Sequence, residues 1–226
     1  MKEALEKLQT YQWGDDRKAL RPIDEAIVAS HGDDAARAEI ETALIGVLTS
    51  DATRNGKDYV CRKLKIIGTA ASVPTLAAML GDDNHSHMAR FALQSIPGTA
   101  ASNALTGALS DSSIPDELKI GVIGSLGARG DDSVVGPLGK LLNGDNQQLA
   151  NAAANALGAI QTADAAKLLA SAKPTATVMD ATLACAEGML HGGDKSGAKA
   201  IYQKLMASKE KQIKLAATRG VLACSK

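Results

Sequence analysis

The stretch LANAAANALGAIQTADAAKLLA, residues 149–170, decides the fold. Its alanines and leucines recur at helical spacing, and one helix closes just after Leu157 while the next opens about five residues later. Close variants occur at 64–80 (LKIIGTAASVPTLAAML), 93–109 (LQSIPGTAASNALTGAL) and 125–142 (SLGARGDDSVVGPLGKLL). One apolar anchor near each helix end, Leu64, Leu93, Leu126, Leu157, Met189 and Val221, gives spacings of 29, 33, 31, 32 and 32 residues. A period of that size indicates stacked helix pairs.

The register also holds inside each unit. Twelve residues after the first five anchors come Leu76, Leu105, Leu138, Leu169 and Ile201. Sixteen after them come Leu80, Leu109, Leu142, Lys173 and Leu205, with Lys173 the exception. Four residues before the six anchors lie Val60, Ala89, Val122, Ala153, Cys185 and Ala217, all small or β-branched. They predict a tight seam between helices. The expected architecture is all-α: an α-solenoid of antiparallel helix pairs, about fourteen helices wound into a right-handed superhelix.

Composition agrees. Of 226 residues, 45% are hydrophobic but only 2% aromatic, so alanine and leucine must pack the core, which suits helices better than sheets. Lys+Arg and Asp+Glu each number 25, and this balance points away from nucleic acid or an anionic membrane. The polar start, MKEALEKLQTYQWGDDRK, is no signal peptide, and no run of about 18 apolar residues could span a membrane. The expected setting is soluble and cytoplasmic, with an exported parent whose leader has been removed also open. Three cysteines, Cys61, Cys185 and Cys224, form neither an even disulfide framework nor a paired ligand motif.

One phrase suggests chemistry. GDDNHSH (81–87) sets two carboxylates beside His85 and His87. Yet GDD occurs four times, at 14–16, 32–34, 81–83 and 130–132, with GDN at 144–146 and GGD at 192–194. Each falls between helices, where glycine can close one and aspartate can cap the next. The two histidines are two residues apart, on different helix faces, so they read as incidental and no metal or cofactor is expected. His31 and His191 precede glycines at helix ends, where imidazole can meet terminal carbonyls. Neither GxGxxG nor GxxxxGK[ST] occurs. GVIGSLG (121–127) brackets Ser125 with glycines as a nucleophile elbow does, but it has a helical period and no strand before it. Cys185 shares its register position with alanines and reads as a structural thiol.

With the register in place, residues 149–170 and LKIGVIGSLGARGDDSVVGPLGKLL (118–142) resemble HEAT repeats. They are most similar to the bacterial HEAT-like subgroup named after phycobilisome lyase subunits, whose pattern reads VRxxAAxALGxIG…A…L. The resemblance covers roughly residues 55–226, and departures at Ser125, Ile96-Pro97-Gly98 and Lys173 predict irregular joints. Residues 1–54 fit the period poorly and are expected to form an N-terminal helical cap, with 55–226 as one continuous repeat domain.

The resemblance implies that second helices line a concave face. There, position −9 from the anchor is always polar: Asn55, Asn84, Glu117, Gln148, Asp180 and Gln212. Position −2 reads Arg62, Phe91, Gly124, Asn155, Glu187 and Arg219, and Phe91 is the natural contact anchor of this ladder. The expected function is a non-catalytic scaffold that binds a protein or peptide. The alternative that the resemblance implies is a lyase-like enzyme subunit acting on a tetrapyrrole-type cofactor or its carrier protein. HEAT-type hydroxylases carry His-Glu metal pairs, and no such dipeptide occurs here; HEAT-like DNA glycosylases use a basic, aromatic groove that this composition does not supply.

Overall fold

The computed structural model describes residues 1–225, and among them there is helix but no strand. These described residues form fourteen α-helices and two short 3-10 turns. They fall into two compact units that meet in sequence at Leu118/Lys119.

The first unit holds α1 (Lys2–Leu8), α2 (Arg21–Ala29), α3 (Asp34–Leu48), α4 (Arg54–Ile67), α5 (Val73–Ala78), α6 (Ser86–Leu93) and α7 (Thr99–Ser110). Here α4 packs on α3 and α6, and α5 packs on α6 and α7. Two polar fastenings join residues 1–54 to α4 and to the α4–α5 loop. Glu41 on α3 is buried, and its carboxylate accepts hydrogen bonds from the Thr69 backbone N–H at 2.7 Å and the Ser72 hydroxyl at 2.5 Å. A buried carboxylate needs such partners. Thr53 caps α4 by accepting from the Gly56 N–H, while its own hydroxyl donates to the Tyr11 carbonyl. Gly56 lets the end of α1 close in, because a Cβ there would meet the Leu8 carbonyl oxygen.

The second unit contains most of α8 (Asp116–Arg129), then α9 (Val135–Leu141), α10 (Gln147–Ile160), α11 (Ala163–Ser171), α12 (Ala176–His191), α13 (Lys195–Leu205) and α14 (Lys211–Ala223). From α9 onward each helix packs against the next or next but one: α10 on α9, α11 and α12, and α12 on α13 and α14. This sequential packing is the α-solenoid arrangement of helix pairs. All six seam residues, from Val60 to Ala217, are fully buried. So are the anchors Leu64, Leu93, Leu126 and Leu157, whereas Met189 and Val221 are half-buried. Cys185 lies in the seam as its register demands, with its thiol directed at the Leu157 carbonyl.

Small residues make the second unit's seam close. A Cβ on Gly127 would lie 2.9 Å from that of Ala156, and one on Gly158 would lie 2.9 Å from that of Ala181. Gln161, which ends α10, adopts the left-handed region at φ 59°. Its side chain fills the notch over Gly188, where a Cβ would clash with it.

The Gly-Asp phrases divide in two. Asp16, Asp33, Asn146 and Asp194 accept backbone N–H bonds from the turns or helices they open, and Gly32 and Gly193 supply the positive φ before two of them. Asp82 and Asp131 do something else. Asp82 closes its own turn by accepting the Asn84 N–H and binds the His85 ring, while Asp131 pairs with Arg129. His85 is therefore not incidental: it opens α6 and is held by the aspartate three residues before it.

Candidate functional site

The first unit gathers most of the aromatic residues of an aromatic-poor chain. The loop after α1 is pinned to the start of α4 by Thr53, and Asn55 donates to the Gln12 amide oxygen at 2.6 Å. This fixes Trp13 beside α4, 46% exposed. Buried Tyr11 supports Trp13 edge-on at 5.8 Å and reaches Tyr59 at 6.3 Å on its other side. Tyr59 is fastened in turn, because its hydroxyl donates to Asp24 and Lys63 pairs with the same carboxylate. Burial, with Asp24 beside it, raises the Tyr59 phenol well above its ordinary range.

On this support stands a cation–aromatic cluster. The Arg62 guanidinium lies 5.6 Å from the Trp13 ring centre and 5.9 Å from that of Phe91. Lys65 covers Phe91 at 3.8 Å. Arg62 and Lys65 come from α4 and Phe91 from α6, the two second helices that pack together in this unit. Exposed cation–π contacts are worth roughly 0.5–1 kcal/mol each, so the set is held in shape while remaining open to solvent. On the same helix as Arg62, Asp58 is buried and its Oδ1 has no hydrogen-bond partner. Burial raises its carboxyl pKa against the opposing pull of Arg54, His85, Arg62 and His87.

Among the ladder residues, Arg62 and Phe91 are brought into direct contact. Arg62, Asn84, Glu117, Gln148, Asn155, Asp180, Glu187, Gln212 and Arg219 are exposed, and Phe91 is half-buried. Gln148, Asn155, Asp180, Glu187, Gln212 and Arg219 make no hydrogen bond or ion pair with one another among the described residues. Trp13 and Lys65 lie off the ladder. A single tryptophan in a chain this poor in aromatics was the available signal for Trp13, but its loop lies outside the repeat register.

Chemically, the surface offers guanidinium and ammonium donors beside apolar ring faces, which suits carboxylates flanked by apolar side chains. The two buried thiols offer no nucleophile: burial pushes Cys61 up to about 12 and Cys185 up to about 11, so both stay protonated at neutral pH. Among the described residues no group of three or more His, Cys, Asp or Glu side chains converges to hold a metal ion. No described helix is long and apolar enough to cross a membrane.

No family model matches the chain, and no curated protein matches it. Solved structures do. An engineered protein is similar at 18% identity and TM-score 0.41, over 83% of this chain and 96% of its own. A designed armadillo repeat protein is similar at 15% identity and TM-score 0.43, over 80% and 98%. Human deoxyhypusine hydroxylase in complex with glycerol is similar at 16% identity and TM-score 0.40, over 92% and 96%.

Proposed function

We propose that the protein is a non-catalytic HEAT-like repeat scaffold that binds a protein or peptide on the face formed by its second helices, with Trp13, Arg62, Lys65 and Phe91 as the anchoring group. The observation that carries this reading is the half-exposed Trp13–Arg62–Phe91 stack: rings and a guanidinium held open on a surface, the side-chain types that dominate binding energy at interfaces. The bacterial phycobilisome-lyase type of repeat remains the sequence resemblance, resting on the phrase at 149–170. A lyase-like activity on a tetrapyrrole draws no support from the groups on this surface.

The partner segment is expected to be acidic with interspersed apolar side chains. Trp13 is the sole tryptophan, so its emission reports directly on occupancy. Peptides selected from a random library on the intact chain should be rich in Asp and Glu, and should shift Trp13 emission saturably. Arg62→Glu together with Phe91→Ala should weaken them by about a hundredfold, as loss of two hot-spot residues would. Selected peptides that bind this double variant as well as the wild type would remove the reading.

A further inference from the structure

Inside the second unit the repeat register loosens between α11 and α13, and a cavity lies there. Positions that are fully buried in earlier repeats are only half-buried at Met189 and Ile201, and Leu205 beside them is half-buried as well. First helices of neighbouring repeats pack together as α5 with α7 and α9 with α11, but α11 and α13 make little contact. The cause is readable at the end of α11. Where earlier repeats place a leucine, Lys173 is exposed, and the chain leaves the helix at Ser171 and turns at Pro174, the Thr175 N–H donating to the Lys173 carbonyl, before Thr175 caps α12. The gap between α11 and α13 has a volume of about 590 Å³, floored by Met179 and Met189 of α12. That is within the roughly 300–1,000 Å³ typical of small-molecule sites.

The polar groups around this cavity specify the occupant. Inside, the Thr182 hydroxyl donates to the Val178 carbonyl at 2.7 Å and the Ser208 hydroxyl donates to the Met179 sulfur at 3.4 Å. These donors are already used, so a ligand buried here must be apolar, since an unmatched polar group would lose its hydration without replacement. At the rim, Lys167 is paired with Asp164, and Asp194 is engaged by the N-terminus of α13 through the Gly197 N–H. Lys204 has no ion-pair partner among the described residues. It stands about 15 Å along α13 from Asp194 at the usual helical rise. Gly197, Ile201 and Leu205 form the wall along the same face. An elongated apolar space with one uncompensated cation at one end fits an unbranched alkyl chain with a single anionic head.

We infer that the α11–α13 cavity binds a free medium-chain fatty-acid-like anion, its chain against Met179 and Met189 and its head on Lys204. Titration calorimetry of the full chain with sodium decanoate below its micellar range tests this, alongside decanol and decyltrimethylammonium. One decanoate per chain is expected, with binding weakened on the order of tenfold in Lys204→Glu. Ala170→Trp, at an exposed position on the cavity lining, should block entry, and unchanged melting of both variants shows that they remain folded. Absence of saturable decanoate binding overturns the inference, as does equal binding of the cationic analogue or undiminished binding by Ala170→Trp. A dimer in solution that Ala170→Trp dissolves would also overturn it, because a second copy would then occupy the cavity.

Discussion

One register position serves opposite ends in the two units. One residue past the anchor, α8 and α10 carry Gly127 and Gly158, and these let the next helix but one approach so closely that a Cβ on either glycine would clash with Ala156 of α10 or Ala181 of α12. At the same position α4 carries Lys65, whose side chain reaches across to cover Phe91 on α6. Glycine closes a seam; lysine and phenylalanine keep a surface. The lesson is that a repeat sets where side chains meet, and side-chain volume then determines whether the meeting is core or contact surface.

The largest effect that tests this contrast is overpacking. Gly158→Leu should destabilise by about 3 kcal/mol, because the backbone of α12 leaves no room, whereas Lys65→Ala, which loses one exposed cation–π contact, should cost no more than about 1 kcal/mol. Urea midpoints compare them, and similar losses in both would mean that the two seams are equally tight. A smaller difference is expected between the two kinds of Gly-Asp joint. Asp194→Ala removes a true helix cap and should cost about 1 kcal/mol, while Asp83→Ala, which caps nothing, should be silent. Equal melting losses would mean that GDD acts as a unit.

Much of the fold was legible because burial follows helical period: every seam position proved fully buried, including Cys185 and both β-branched members. The contact surface was half legible. Arg62 and Phe91 share a register position, so their alignment on neighbouring helices followed from the period. Trp13 did not, because a loop residue is placed by tertiary fastenings such as Thr53 to Tyr11, which have no period. The role of His85 was hidden for a related reason, since a hydrogen bond between Asp82 and the His85 ring three residues on competes with helix capping within the same short phrase. Lys173 was visible as an irregularity, but the cavity it opens depends on how α11 and α13 separate.

The smallest expected effect concerns Asp58 in the first unit. Burial raises its folded pKa above the ordinary 3.8, so the folded chain holds that proton more tightly than the unfolded one. Its contribution therefore falls as pH rises between the two values. Asp58→Asn should raise the melting temperature slightly at neutral pH and flatten the pH dependence, with the two proteins converging in acid. A variant that melts lower at pH 7 would show that the carboxylate is favourably paired instead.

Gln161 and Gly188 have a consequence for how this sequence can change over generations. Gln161 holds a backbone conformation that costs a non-glycine residue about 1 kcal/mol, yet its side chain fills the notch that Gly188 leaves. Replacing Gln161 with glycine relieves the backbone but empties the notch, and enlarging residue 188 is barred while Gln161 remains. Each position thus sets what the other tolerates, and the combination of glycine at 161 with a larger side chain at 188 is reached safely in one order only, through glycine first.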